Sequence, residues 1–124
     1  KEVWVGNTGD GTIDIIDVAS NTIKQSFAVG KVPIRVKFTP NGKRVLVSDN
    51  GAGELIIIDA AARNVIKRIK AEASPVGILI LPGGKKAYVA RSGSGIVSVF
   101  DMDTLMFTDD IKTGNGPDGM GWVR

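Results

Sequence analysis

One unit of 42 residues, present three times in tandem without insertion or deletion, constrains the fold of this chain more than any other feature. The first two copies share 12 of 42 positions. A small unit of this kind cannot bury its apolar surface alone, so stacked copies are expected to share a core. The residues identical in all three copies are Lys1/Lys43/Lys85, Val5/Val47/Val89, Gly9/Gly51/Gly93, Gly11/Gly53/Gly95, Asp17/Asp59/Asp101 and Pro33/Pro75/Pro117.

Short apolar runs bounded by turn residues predict four β-strands in each copy. In the first copy they fall at residues 3–5, 13–17, 22–29 and 34–39, the last beginning after the repeated proline. The same reasoning predicts a final strand at 118–123. Each copy is therefore expected to form an antiparallel meander without a long helix.

The turn between consecutive copies has its own signature. Pro40-Asn41-Gly42-Lys43 and Pro82-Gly83-Gly84-Lys85 contain the Asn-Gly and Gly-Gly pairs that tolerate positive φ. Such pairs favour a primed hairpin turn. We therefore expect positive φ at Gly42 and at Gly83 or Gly84.

The second strand of each copy discriminates between all-β architectures. Residues 55–58 read Leu-Ile-Ile-Ile, which is apolar on both faces of a strand. A strand of this kind needs cover on both sides, whereas a meander with one wet face would alternate. Four-stranded sheets of about 40 residues, each packed between two others, describe the blades of a β-propeller.

The phase of the repeat predicts how the blades are distributed along the chain. The copies span residues 1–42, 43–84 and 85–124, but the complete blades are expected at about 33–71 and 75–112. Residues 1–29 and 117–124 would be two parts of a split blade. Because three blades are too few to close a ring, we expect a segment of a longer propeller or half of a six-bladed homodimer. In the homodimer, residues 120–122 would lie beside residues 3–5 of the neighbouring chain.

Several motifs together resemble the YVTN family of propeller repeats, whose four-stranded blades are similar to WD40 blades. They are the tetrads Trp4-Val5-Gly6-Asn7, Leu46-Val47-Ser48-Asp49 and Tyr88-Val89-Ala90-Arg91, the Ile-Ile-Asp of 15–17 and 57–59, the repeated proline, and Thr-Pro-Asn-Gly-Lys at 39–43. The resemblance covers the whole chain. It implies a ring of about seven blades and a secreted, periplasmic or surface-layer protein. Arg35, Arg91 and Asp118 depart from the pattern.

Composition limits the chemistry that the chain can perform alone. With no His and no Cys, it lacks Ser-His-Asp and Cys-His catalysis and thiolate metal sites. Asp17, Asp59 and Asp101 recur on separate copies, each at the start of a turn, so we interpret them as structural. We predict no catalytic residue, no metal ligand and no cofactor.

Scattered charges and short apolar runs restrict the partners. The net charge of +3 comes from 16 basic and 13 acidic residues spread along the chain, unlike the dense basic stripe of a nucleic-acid-binding surface. No apolar run approaches the ~18 residues of a membrane span. Neither nucleic acid nor a membrane span is therefore expected.

The preferred hypothesis is a non-catalytic binding or scaffold module that contacts a protein or ligand through the loops of one rim. One alternative is part of a propeller enzyme of the lactonase or quinoprotein-like kind, and another is a structural surface-layer module. Self-association through blade faces is also open. The candidate binding residues are Asn7, Asp10, Lys31, Arg35, Asp49, Asn50, Arg91, Asn115 and Asp118.

Overall fold

The computed structural model describes all of residues 1–124 and contains eleven strands in three separate sheets. The only other element is a short 3-10 turn at Ser92–Ser94, and no helix is long and apolar enough to cross a membrane. The strands are β1 (Glu2–Asn7), β2 (Thr12–Asp17), β3 (Thr22–Ala28), β4 (Pro33–Phe38), β5 (Arg44–Asp49), β6 (Glu54–Asp59), β7 (Asn64–Lys70), β8 (Pro75–Ile80), β9 (Lys86–Arg91), β10 (Ile96–Asp101) and β11 (Met106–Lys112).

Every sheet is an antiparallel meander in which consecutive strands are neighbours. β4 to β7 and β8 to β11 form four-stranded sheets, whereas β1 to β3 form a three-stranded one. The pairing register shifts after Ile15, Ile57 and Val99, which are equivalent residues of the three copies. The three copies therefore share even the position of a β-bulge. The all-β prediction is confirmed.

The middle sheet is buried on both faces, as the apolar pattern of residues 55–58 predicts. All four of these residues are fully buried. Ile56 and Ile58 join the cluster shared with the three-stranded sheet, while Leu55 and Ile57 join the cluster shared with β8 to β11. Alternate residues of one strand thus contribute to two cores, and this double burial fixes the order of the stacked sheets.

The hairpins between β4 and β5 and between β8 and β9 differ from the predicted primed turn. Gly42 and Gly84 have φ of 70° and 69°, as expected, but Asn41 and Gly83 do not have positive φ. The N–H of Gly42 donates to the carbonyl of Thr39 at 2.8 Å. Because Pro40 holds φ negative at the second turn position, the chain makes a type I turn followed by one left-handed glycine.

The strand predicted at 118–123 is absent from the structure. Residues 117–124 form no strand, although they are equivalent to β4 and β8. They begin beside the middle of β8, where the carbonyl of Asp118 occupies the space that a Cβ on Gly77 would need. β4 and β8 each pair with the strand that follows them, and this segment has no such strand within the described chain.

Candidate functional site

The blades present two rims, which we name by their sequence landmarks. The proline rim is the end at which β4 and β8 begin, and it includes the hairpin loops 7–12, 49–54 and 91–96 and the linkers 29–32, 71–74 and 113–116. The hairpin rim is the opposite end and includes the turns 39–44 and 81–86. All nine candidate residues lie on the proline rim or within two residues of it.

Asp49 ends β5 at the proline rim, but its carboxylate is buried and points inward. Oδ2 accepts the N–H of Lys31 at 2.7 Å, and Oδ1 accepts the N–H of Val32 at 2.8 Å and of Ala52 at 3.2 Å. Burial alone raises the pKa of Asp49, yet these backbone N–H groups outweigh burial and hold the pKa below its ordinary value. Asp49 therefore holds linker 29–32 in place and offers no oxygen to a partner.

Arg91 occupies the equivalent position in the next blade and makes a different network. Its Nη1 lies 3.2 Å from Ser98 Oγ and 3.6 Å from Asp110 Oδ1, while its buried Nε has no hydrogen-bond partner. Sequence reasoning missed Ser98 and Asp110. The available signal was the change from Asp49 to Arg91 at one position of the repeat, since a reversed charge at an equivalent position requires different partners.

Linker 71–74, the equivalent of the linker that Asp49 holds, has an unusual backbone. Glu72, Ala73 and Ser74 have φ of 44°, 46° and 58°, three successive non-glycine residues in the left-handed region. A cation cannot accept the N–H groups that Asp49 accepts in the preceding blade. The linker instead accepts an additional hydrogen bond from the next loop, where the N–H of Gly93 donates to the carbonyl of Ala73 at 2.9 Å.

Arg35 and Asp118 are the only two candidates whose side chains meet. Nη2 of Arg35 donates to Oδ1 and Oδ2 of Asp118 at 3.2 and 3.1 Å. Arg35 lies on β4, the innermost strand of its blade, and Asp118 lies in the segment equivalent to an innermost strand two blades later. Both side chains are more than 40% exposed, at 42% and 46%. Water therefore screens the pair, and it contributes at most about 1 kcal/mol to stability.

The remaining candidates are spread along the proline rim. Asn7 Nδ2 donates to Thr12 Oγ1 at 3.1 Å within its own hairpin loop. The backbone N–H of Asn50 donates to the carbonyl of Val32 at 3.0 Å. Asp10, Lys31 and Asn115 have exposed side chains that make no hydrogen bond.

The repeated aspartates outside the rim have the structural role that their turn positions indicate. Asp17 Oδ2 accepts the N–H of Ser20 at 2.9 Å, and Asp59 Oδ1 accepts that of Ala62 at 2.8 Å. Asp101 Oδ1 accepts the N–H groups of two residues of its turn. Backbone hydrogen bonds, that of Thr104 foremost, hold the pKa of Asp101 below its ordinary value. No group of three or more His, Cys, Asp or Glu residues is close enough together to hold a metal ion.

Comparison with known proteins places the fold but not the family. No protein-family model and no curated protein matches the chain. Hydrazine synthase from Kuenenia stuttgartiensis is similar to 94% of the chain, with a TM-score of 0.88 and 28% identity. Dihydro-heme d1 dehydrogenase NirN is similar to 89% of it, with a TM-score of 0.76 and 19% identity. A putative 6-phosphogluconolactonase from Bacteroides fragilis is similar to 91% of it, with a TM-score of 0.76 and 21% identity.

These similarities and the stacked meanders establish the architecture. The chain consists of β-propeller blades and is a partial propeller. It spans 34%, 24% and 36% of the three solved chains. Two of the three are below 25% identity and bear on the fold alone. The activities named for these proteins belong to chains about two and a half to four times as long as this one.

Proposed function

We propose that this chain forms part of a non-catalytic propeller that binds a protein or ligand through its proline rim. The observation that carries the proposal is the fixed backbone and exposed side chain of Lys31. Its backbone N–H is fixed to the buried carboxylate of Asp49, while its side chain is exposed. Because the backbone at this position is already ordered, binding through Lys31 carries no cost of ordering the linker.

The positions of the exposed rim residues support the same proposal. Lys31 and Asn115 are equivalent residues of two linkers, two blades apart, and both are exposed. Asp10 adds an exposed carboxylate on a hairpin loop of the same rim. Propeller loops vary while stacked blades hold their ends, so a partner can contact several of these residues at once.

Site-specific photo-crosslinking in the native cell tests the proposal. A benzoylphenylalanine at Asn115 of the complete protein should give one crosslinked species of discrete mass, because this residue is exposed on the proline rim. The matched control is the same group at Thr108, which is exposed on the outermost strand β11. Lys31→Glu should remove the crosslink from position 115 if both residues contact one partner.

Two results would contradict a binding rim. One is the same set of species from positions 115 and 108, which would indicate random collision. The other is no crosslink from position 115 under conditions in which the protein is folded. Either result would leave the surface-layer alternative, in which the propeller acts through its blade faces rather than its rim.

An enzyme remains the second candidate because all three similar structures carry names of enzymes. In that case acidic and amide residues of the complete ring would hold a metal or cofactor. A ligand that binds only the folded state raises the unfolding temperature. An increase with calcium, magnesium or a quinone would favour the enzyme, and an unchanged temperature would favour the binding module.

We also propose a family, a location and a mode of assembly for the protein. The repeat motifs support membership of the YVTN family, and that resemblance supports a periplasmic or extracellular location. The three-stranded sheet supports assembly with a further innermost strand, because the edge of β1 has no strand beside it. A second copy forming a six-bladed ring or another repeat of the same protein would each supply one.

A further inference from the structure

A polar cleft lies on the hairpin rim, at the junction of the two complete blades. Its volume is about 390 Å³, and it lies between the turns 39–44 and 81–86. A cleft of this size falls within the range of small-molecule sites. None of the candidate residues chosen from the sequence lies there, because the sequence does not show that turns of successive blades face each other.

The walls of the cleft are fixed by hydrogen bonds and close packing. Thr39 Oγ1 donates to Asn41 Oδ1 at 2.7 Å, and the N–H of Lys43 donates to the same oxygen at 3.0 Å. The amide oxygen of Asn41 is thus occupied, and its NH₂ group makes no hydrogen bond within the protein. Gly84 packs against Pro40, since a Cβ on Gly84 would lie 3.4 Å from Cδ of Pro40.

Positive charge dominates the lining. Lys43, Arg44 and Lys85 line the cleft with a single carboxylate, Asp103, so three positive charges and one negative leave a local excess of two. None of these four residues forms a salt bridge; every ion pair of the chain lies elsewhere. Nη1 of Arg44 donates to the carbonyl of Met102 at 3.1 Å, which orients its guanidinium across the junction.

We propose that this cleft binds a phosphate group, either as free orthophosphate or as the monoester of a small metabolite. Two ammonium groups, a fixed guanidinium and an amide NH₂ supply donors and charge for a tetrahedral oxyanion. The repeated Pro-x-Gly-Lys turns place a lysine on each side of the junction. The site is separate from the proline rim, and its test does not depend on the function proposed there.

Calorimetric titration of the complete protein tests the site with two probes, orthophosphate and glycerol 3-phosphate. Saturable binding is expected for at least one, and the tighter probe identifies the source of the phosphate group. Lys43→Gln/Lys85→Gln should weaken binding about tenfold or more, because the two lost charged donors together contribute at least about one decade. Lys70→Gln/Lys112→Gln, the matched control, removes the same charge from strand ends near the proline rim.

The control variant should bind the tighter probe within about twofold of the native protein. Equal weakening by both double variants would overturn the proposal, because it would show attraction to overall charge rather than to the cleft. Absence of saturable binding with both probes would overturn it too. An unchanged unfolding temperature of each phosphate-free variant would confirm that loss of binding is not loss of folding.

Discussion

The carboxylate of Asp49 lies against the backbone of Gly30 and occupies the space that a side chain at position 30 would need. This close approach brings linker 29–32 within hydrogen-bonding distance of both carboxylate oxygens. The linker carries the chain from one blade to the next. The buried carboxylate of Asp49 and the absence of a side chain at Gly30 therefore hold the linker that joins two neighbouring blades.

Asp49→Asn should lower the free energy of unfolding at pH 7 by about 3 kcal/mol, because charge-assisted hydrogen bonds from backbone N–H groups are lost in a buried site. Urea unfolding measures the change. Asp59→Asn is the matched control, since Asp59 binds one N–H in an exposed turn. The control should cost about 1 kcal/mol or less. Equal losses in both variants would contradict the role assigned to Asp49.

The stabilisation by Asp49 should also depend on pH. Its pKa in the folded state lies below the ordinary value. A carboxylate of this kind contributes fully above its unfolded-state pKa, about 3.9, and its contribution falls as pH falls through the lower folded value. The difference in unfolding free energy between native protein and Asp49→Asn should therefore shrink below about pH 4. A difference that stays constant from pH 7 to pH 3 would contradict it.

Gly30→Ala should destabilise the protein more than its small size suggests. The added methyl would overlap Asp49 Oδ2 and lie 3.2 Å from Cδ1 of Ile56. Relieving the overlap requires breaking the hydrogen bonds of Asp49, so a loss of about 3 kcal/mol is expected. Gly9→Ala is the control because a Cβ there meets nothing within 4 Å. Thermal unfolding of both variants compares them directly.

The fold could be predicted from the sequence because three copies share one pattern of apolar and turn residues, and each copy must pack in the same way. The apolar residues 55–58 could only be buried between two sheets, and the structure confirms this. The inward orientation of Asp49 could not be predicted, because an acidic residue beside glycines is equally typical of an exposed loop. The cleft lined by Lys43 and Lys85 could not be predicted either, because its position depends on the angle between successive blades, which the sequence does not show.

Gly84→Ala and Gly83→Ala should differ although the residues are adjacent. Gly84 has φ of 69°, whereas Gly83 does not have positive φ and a Cβ added there would meet nothing within 4 Å. An alanine in the left-handed region costs about 1–2 kcal/mol, so only Gly84→Ala should lower stability by this amount. Urea unfolding measures both. Equal effects would show that the turn does not have the described geometry.

Ala73→Gly should raise stability by about 0.5–1 kcal/mol, because glycine adopts the left-handed region without steric cost. Ala73 is the middle residue of three with positive φ. Ala52→Gly, in an exposed loop without positive φ, should lower stability by about the same amount. Opposite signs in urea unfolding would confirm the strain in linker 71–74. A loss of stability in both variants would contradict it.

The open edge of β1 predicts a contact between copies if a second chain completes the three-stranded sheet. Residues 120–122 would then lie beside residues 3–5 of the neighbour, because they are equivalent to the part of β8 that pairs with β9. The chain has no cysteine, so Val5→Cys and Met120→Cys, which would face each other in the register equivalent to Ile78 and Val89, introduce the only two thiols. Across paired strands their Cβ atoms would be about 5 Å apart or closer, near enough for a disulfide after small adjustment.

Mild oxidation of the double-cysteine protein should therefore give a covalently closed dimer, seen by mass under denaturing conditions and lost on reduction. Val5→Cys with Thr108→Cys is the control, because Thr108 lies on the outermost strand β11 and should not reach β1 of a neighbour. Deleting residues 117–124 should reduce the native mass from twice that of the chain, or a higher closed multiple, to that of a monomer or an aggregate. A compact soluble monomer of the intact protein at micromolar concentration would contradict pairing between copies. The strand beside β1 would then have to come from another repeat of the same protein.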